Sequence, residues 1–472
     1  MELDPVILSR LQFAFTISFH IVFPAFTIGL AAWITTLQGM WLYTDNEKYH
    51  DLVKFWIKVF AVSFGVGVVT GIIMTFQFGT NWSNYAEGVG NVVAPLIGYE
   101  VLTAFFLEAT FLGLMLFGAG RVPRWLHFVA CVIVVLGTTL SAFWILSANS
   151  WMQFPAGHEV RDGIAYPVDW LKIIFNPTFP TRLAHMLLAA YITTAFVVLA
   201  VGARWLLKGM AIENAKTMIR MALGILIVLV PIQAFVGDAS GLNTLKYQPV
   251  KLAAMEAHWG EKDGTKGPIP WVLFAWPNEE QERNDFQVAI PYVGSLIFTH
   301  SLDGSIKGLK EFSPDLRPPI AIPFFAFRIM IAMWGVMMLT IITGGVLWWR
   351  KSLFHSERFL RFSRFIWPIG FVTILAGWYT TEVGRQPWVA TGILRTVDAV
   401  SPASASAMLT SLLLLTSLYV VIYGAALYYM NRLINAGPDV AQDSSAFADH
   451  ASPLRPMSAA QEAGRKAMRV ED

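Results

Sequence analysis

The chain has 472 residues, of which 55% are hydrophobic and only 14% charged, with a formal net charge of +2 and a mean hydropathy of +0.53. Soluble domains carry about a quarter charged residues, so too few are present here to cover a water-facing surface. A soluble enzyme, a nucleic-acid binder and a disordered scaffold are excluded, and the composition is that of an all-α integral membrane protein.

The chain begins MELDPVILSR, with two acids ahead of the first arginine and no small-residue cleavage site behind the apolar stretch, so the first span reads as permanent. A span needs about 20 mostly apolar residues. By that measure there are nine, near 11–37, 55–79, 95–120, 126–149, 181–203, 219–238, 321–349, 365–384 and 405–430. The one cysteine, Cys131, falls inside the fourth, which excludes internal disulfides and thiolate clusters. Gly67 and Gly71 form a GxxxG on the second, a helix-packing signal.

The connections set the orientation. Segment 121–127 holds two arginines, 204–220 holds Arg204, Lys208, Lys216 and Arg220, and 350–364 holds Arg350, Lys351, Arg358, Arg361 and Arg364, whereas 80–94 has no basic residue. Basic loops stay in the cytoplasm, so the N-terminus is expected outside and the C-terminus inside. The organisation is then 1–238 for helices one to six, 239–320 for an outer segment, 321–430 for helices seven to nine and 431–472 for a cytoplasmic tail. The outer segment is rich in Pro, Gly and charge, and is too long for a plain connector. The tail is polar and small-residue rich and reads as disordered. No internal repeat is evident, which weighs against an inverted-repeat transporter.

Ionisable side chains inside the hydrocarbon layer are costly, so each is a functional candidate. His20 and His185 are the two histidines well within spans; Glu100, Glu108 and Glu382 are the carboxylates, and Arg328 stands two residues before Met330. With alternating spans, His20, Glu100, His185, Met330 and Glu382 fall at a similar depth, between the outer surface and the midplane. Two histidines, a thioether and spare carboxylates are ligand types that suit haem iron; a copper site normally gathers more histidines. Plainer readings stand beside these. A lone histidine can simply bond a neighbouring helix, Met330 is one of 18 methionines, and Glu382 and Arg385 are spaced as a local i,i+3 ion pair. On a regular α-helix Glu100 and Glu108 are roughly 12 Å apart and about 80° around the axis, a spacing for a relay through water rather than direct contact.

Several stretches resemble cytochrome bd-type quinol oxidase subunit I: SRLQFAFTISFHIVFPAFTIG at 9–29, GYEVLTAFFLEATFLG at 98–113, WILSANSWMQFPAG at 144–157, QPVKLAAMEA at 248–257, FRIM at 327–330 and GWYTTEVGRQPW at 377–388. The resemblance runs from the N-terminus to about residue 400. It implies a respiratory terminal oxidase of the bacterial inner membrane, oxidising quinol at the outer face and reducing dioxygen to water with protons from the cytoplasm. It implies His185 and Met330 as axial ligands of a low-spin haem b. His20, Glu100 and Glu382 then stand at ligand or near-ligand positions of two high-spin haems, one b-type and one d-type. Arg328 lies near the low-spin haem, Arg385 serves a propionate, and Glu100 and Glu108 mark the proton route.

Lys251 and Glu256 match quinol-site residues; at i,i+5 they would stand about 140° apart on a helix and flank a ring without pairing. Without the resemblance, KLAAMEA is a short amphipathic helix with solvated charges, and Arg328 snorkels to the interface. The family also implies a second large membrane subunit, with or without a small accessory one, and ubiquinol or menaquinol as donor. The segment after KLAAMEA lacks a long hydrophilic insertion, which resembles the short-loop class that includes cyanide-insensitive oxidases; there a further haem b can replace haem d. A proton-coupled transporter is the competing reading, and a b-type cytochrome that never meets oxygen a third. Neither accounts for all of the His, Met and Glu positions.

Overall fold

Segregation of apolar runs from turn residues dictates a stack of long helices, and the structure, a computed structural model, describes residues 4–264 and 267–438 of it. The expected disordered tail, 431–472, lies largely outside the described residues. Helix α1 (Pro5–Thr44) starts where Asp4 accepts a bond from the Val6 amide and Pro5 supplies the first turn. Then follow α2 (Glu47–Thr80), α3 (Ser83–Tyr99), a π-helical turn at Glu100–Phe105, α4 (Phe106–Phe117) and α5 (Arg124–Gln153). A hairpin of β1 (His158–Arg161) and β2 (Ile164–Pro167) leads to α6 (Trp170–Ile174). The long helices α7 (Phe179–Leu207) and α8 (Ile212–Tyr247) come next.

Among the described residues, eight helices are long and apolar enough to cross a membrane, nine if α12 (Glu357–Phe365) and α13 (Ile369–Val383) count as one span bent by 42°. The eighth expected span, 365–384, is α13, and the basic segment before it, expected as a loop, is helical over Glu357–Phe365 and joins it through a bend at 366–368, where Pro368 cannot donate within a helix. Helix α7 is the most buried of the spans and α14 (Ala405–Ala436) the least. Phe26, Leu30, Ile34, Phe55, Trp56, Phe60, Phe196 and Leu223 pack between α1, α2, α7 and α8 as the main core.

The expected connection 80–94 is mostly helix. Tyr85, Val89, Val92, Val93 and Leu96 recur at helical spacing and are buried, so the apolar stripe outweighs the polar residues between them. Likewise Lys216 and Arg220 lie on α8, which continues to Tyr247. Arg204 and Lys208 bond Asn435 near the end of α14, so the basic residues of that end gather together.

At the other end, 248–320 folds over the bundle. It holds α9 (Pro249–Met255), a hairpin of β3 (Trp271–Asn278) and β4 (Arg283–Ile290) in register Trp271↔Ile290 to Asn278↔Arg283, and α10 (Val293–Thr299) before α11 (Ala321–Trp349). The 154–178 connection and a small hairpin of β5 (Trp388–Ala390) and β6 (Leu394–Arg395) join it at that end; both are structured pieces additional to the two non-membrane segments expected from sequence. Arg395 pairs with Asp315 across them at 2.8 Å.

Candidate functional site

A cavity of about 1330 Å³ runs through the helical bundle toward the 248–320 end. His20, Glu100, Glu108, His185, Lys251, Met330, Glu382 and Arg385 all line it, and Glu256 and Arg328 do not. Eight of the ten residues singled out from sequence thus face one space. Along their helices they form two tiers. His185 and Met330 stand about two turns from the helix starts at the 248–320 end and Glu382 is one residue from the end of α13, while His20 and Glu100 lie four to five turns in.

The two histidines have their second ring nitrogens engaged. Thr70 donates its hydroxyl to the Val66 carbonyl at 2.9 Å, so its oxygen accepts from His20 Nδ1–H, also at 2.9 Å. That fixes the tautomer and leaves the Nε2 lone pair available, the arrangement a metal-ligating histidine needs. Gln233 donates its amide to the His185 carbonyl at 3.1 Å and lies 3.3 Å from Nδ1, while its buried Oε1 has no partner among the described residues. That contact holds the His185 ring against α8. Small residues face all three soft ligands. A Cβ at Gly71 would fall 3.3 Å from His20 Cε1, at Gly237 3.6 Å from His185 Cε1, and at Gly377 3.2 Å from Met330 Sδ. Gly71, read from sequence as helix packing, is therefore also the floor beneath His20.

At the foot of the loop segment, cations crowd one carboxylate. Glu382 pairs with Arg385 at 2.5 Å and lies 3.9 Å from Arg182. It accepts bonds from Asn149 and Gln153, both at 3.1 Å. Arg182 donates to Asn149, and Lys251 to Gln153 and to Gln248. The local i,i+3 pair is real, but it is one edge of a larger network. Among the described residues, Arg182 Nη1, Arg385 Nε and Arg385 Nη1 are buried and find no partner. Unused buried donors are costly, and this set faces the cavity as a cradle for anionic groups, which the carboxylates of a haem would fit.

Lys251 and Glu256 do not flank a shared space as expected. Helix α9 turns Lys251 into the cavity, whereas Glu256, at its C-cap, pairs with Arg328 at 2.7 Å. Arg328 also bonds the Val272 and Met255 carbonyls at 2.9 and 2.5 Å, so it is turned into the protein and does not snorkel. Both loop residues are buried, at 4% and 3% exposure, which overturns the solvated-helix alternative. Burial holds the Lys251 amine well below its usual range, with Arg182 adding to the effect. Burial also pushes the Glu256 carboxyl up, against the pull of Arg328.

The third-span acids also differ from the expected geometry. A π-turn accommodates one extra residue in an α-helix, so Glu100 and Glu108 relate as seven α-helical residues, on one face, and not 80° apart. Both meet α5. Glu100 accepts a 2.8 Å bond from Ser141, and Glu108 lies on Gly137, one turn away.

Sequence reasoning missed Arg182, Asn149, Gln153, Gln248 and Gln233. The first stands near the start of the fifth span and the next two sit in a stretch already noted for its resemblance, so position in the motif was the available signal. Among the described residues no group of three or more His, Cys, Asp or Glu side chains is placed to hold a bare metal ion. A haem iron needs only one or two protein ligands, which His20, His185 and Met330 are placed to give.

Fold and site together define a helical membrane protein with an internal cavity lined by haem-type ligands and buried cations. Residues 8–438 match the family model for cytochrome bd terminal oxidase subunit I. The chain is 32% identical to cytochrome bd-II ubiquinol oxidase subunit 1 of Escherichia coli (strain K12), covering 93% of this chain and 98% of that one. It is 33% identical to cytochrome bd ubiquinol oxidase subunit 1 of Bacillus subtilis (strain 168), covering 93% and 95%. Its fold matches the structure of bd oxidase from Geobacillus thermodenitrificans with a TM-score of 0.85 at 29% identity, over 92% of this chain and 99% of that one. The chain belongs to the cytochrome bd terminal oxidase subunit I family. It is thus a haem-carrying subunit of a respiratory quinol oxidase, a quinol:oxygen oxidoreductase, and a transporter is not favoured.

Proposed function

We propose that this subunit takes electrons from quinol at its 248–320 face and delivers them through the cavity to dioxygen, with the C-terminus in the cytoplasm of a bacterium and the complex in the inner membrane. The clustering of basic residues at the opposite end supports that orientation. The observation that carries the reading is the single cavity joining Lys251, His185, Met330, His20, Glu382 and Glu100.

His185 and Met330 would hold a low-spin haem b. His20, Glu100 and Glu382 would serve two high-spin haems, one b-type and the other a haem d or a further haem b. When bound, the haems supply one-electron transfer and the oxygen-binding iron. A methionine ligand in place of a second histidine raises the potential, which favours electron acceptance from quinol. Arg182, Lys251 and Arg385 neutralise carboxylates in the cavity, and Arg328 holds Glu256 beside α11. Glu256 would accept a proton from quinol, with Lys251 bonding the oxygen left behind; their separate networks imply that a ring reaches one at a time or that the loop adjusts around it. Glu108, Thr138, Ser141 and Glu100 form a polar stripe from the basic end into the cavity, a route for protons to the oxygen site. Scalar release and uptake on opposite faces then charge the membrane without a pump. A second large subunit, with or without a small accessory one, completes the complex in the lipid bilayer; the donor is ubiquinol or menaquinol.

The test is a reduced-minus-oxidised spectrum of the purified complex with and without carbon monoxide. Bands of b-type haem plus a far-red band sensitive to carbon monoxide are expected for haem d. Only b-type bands, some responding to carbon monoxide, place a further haem b there. A complex containing the partner subunit but no haem signal overturns the reading.

A further inference from the structure

Gln153 ends α5 and is fully buried. Its Oε1 accepts from Lys251 Nζ and, at 2.9 Å, from Gln248 Nε2. Its Nε2 donates to Glu382 Oε1 at 3.1 Å. Gln248 also donates to the Gln153 backbone carbonyl at 2.8 Å. One planar amide therefore faces the loop with its acceptor and α13 with its donor, a division that no carboxylate, hydroxyl or cation makes with fixed polarity.

Two further contacts show that this junction is built. The Lys251 stem crosses Gly384 so closely that a Cβ there would lie 2.9 Å from Lys251 Cγ. At the far end of α9, Glu256 pairs with Arg328, two residues from Met330. The loop helix is thus pinned to α13 at one end and to α11 at the other. Asn149 bonds Glu382 as well, but Gln153 alone among the residues around Glu382 also holds Lys251.

We infer that Gln153 is a positioning residue that couples Lys251 on the quinol-facing helix α9 to Glu382 in the cavity, so that changes at either end are felt at the other. The inference rests on the proposed quinol and haem roles of those two residues. A neutral amide suits the place. A carboxylate there would oppose Glu382, and a cation would add to the three already present.

The experiment uses the purified whole oxidase carrying Gln153→Met, Gln153→Glu, Lys251→Met or the Gln153→Met/Lys251→Met pair. KM and kcat with a soluble quinol analogue are measured beside the haem absorption bands and midpoint potentials. Gln153→Met should raise KM about tenfold, the scale of one lost buried hydrogen bond, and also shift a high-spin haem band. The double variant should be no worse than the more damaged single variant, because both remove the same link. Gln153→Glu keeps the acceptor for Lys251 and loses the donor to Glu382, so it should shift the band with KM within about twofold of the parent. It decides the matter if Gln153→Met does not assemble.

Additive KM effects in the double variant, or a Gln153→Glu enzyme with raised KM and unshifted bands, would overturn the coupling. If Lys251→Met leaves KM unchanged, the quinol role of Lys251 falls. The coupling is then decided by the spectra alone: a band shift in Lys251→Met that is absent from the double variant's increment over Gln153→Met sustains it, and unshifted bands end it.

Discussion

Glu108 rests on Gly137: a Cβ at position 137 would stand 2.6 Å from Glu108 Cγ and 3.4 Å from the Ala104 carbonyl. The atom in the way is Glu108 Cγ, so an added methyl is taken up only by moving the Glu108 side chain or by separating α4 from α5. Gly137→Ala should therefore lower oxygen consumption about tenfold, with Gly137→Val lower still, while haem content and bands stay near those of the parent. Glu108→Gln should give the same pattern by removing the ionisable group. Normal turnover in Gly137→Val would show that the position of Glu108 does not matter to proton delivery.

The reason this contact was hidden in the sequence is instructive. Eight residues on an α-helix put Glu100 and Glu108 on different faces, and nothing in EVLTAF announces a π-turn. The spans themselves were readable because hydropathy over twenty residues is a sum that tolerates local exceptions. Where a helix is amphipathic rather than uniformly apolar, as at Tyr85–Leu96, the same sum failed although the apolar period was present. The candidate ligands were legible because ionisable groups are rare in hydrocarbon. Gln153, Asn149 and Gln248 stood inside the resembling stretches, but an uncharged amide shows its role only through its partners, and those come from helices far apart in sequence.

The proposed axial pair separates into graded outcomes. His185→Ala should abolish the low-spin haem b spectrum and quinol oxidation together. Met330→Leu keeps the volume and removes the sulfur, so haem should persist in part with a lowered potential. Gly377→Ala presses on Met330 Sδ from 3.2 Å, and should shift the same band by less than Met330→Leu. An unchanged spectrum in His185→Ala would sink the ligand assignment.

The acid limb of quinol oxidation should report Glu256. Burial raises its carboxyl pKa and Arg328 offsets part of the rise, so the group stays protonated to a higher pH than a free glutamate. Only the ionised form accepts a proton from quinol. Activity should then fall as pH drops through that raised value, at a pH above the ordinary carboxylate range, and level off above it. Glu256→Gln should slow turnover about a hundredfold and lose this limb while retaining haem. The limb surviving in Glu256→Gln, measured as kcat/KM against pH, would assign it to another group.

Whether Glu256 acts mainly in chemistry or in holding α9 down is decided by its partner. The Glu256–Arg328 pair is buried, and removing one member of such a pair leaves the other uncompensated, at a cost of about 3–5 kcal/mol, whereas replacing both with apolar groups is far milder. Arg328→Met alone should lower the temperature at which the complex loses haem by more than the Glu256→Met/Arg328→Met pair does. The pair should regain that thermal resistance without regaining quinol turnover, because the stability debt is cancelled while the proposed proton acceptor is still missing. Recovery of both properties in the pair would make the contact purely structural. If instead the thermal losses of the two single variants simply add in the pair, the ion pair contributes no coupling and α9 is held by its apolar contacts, Leu252 and Ala253 among them.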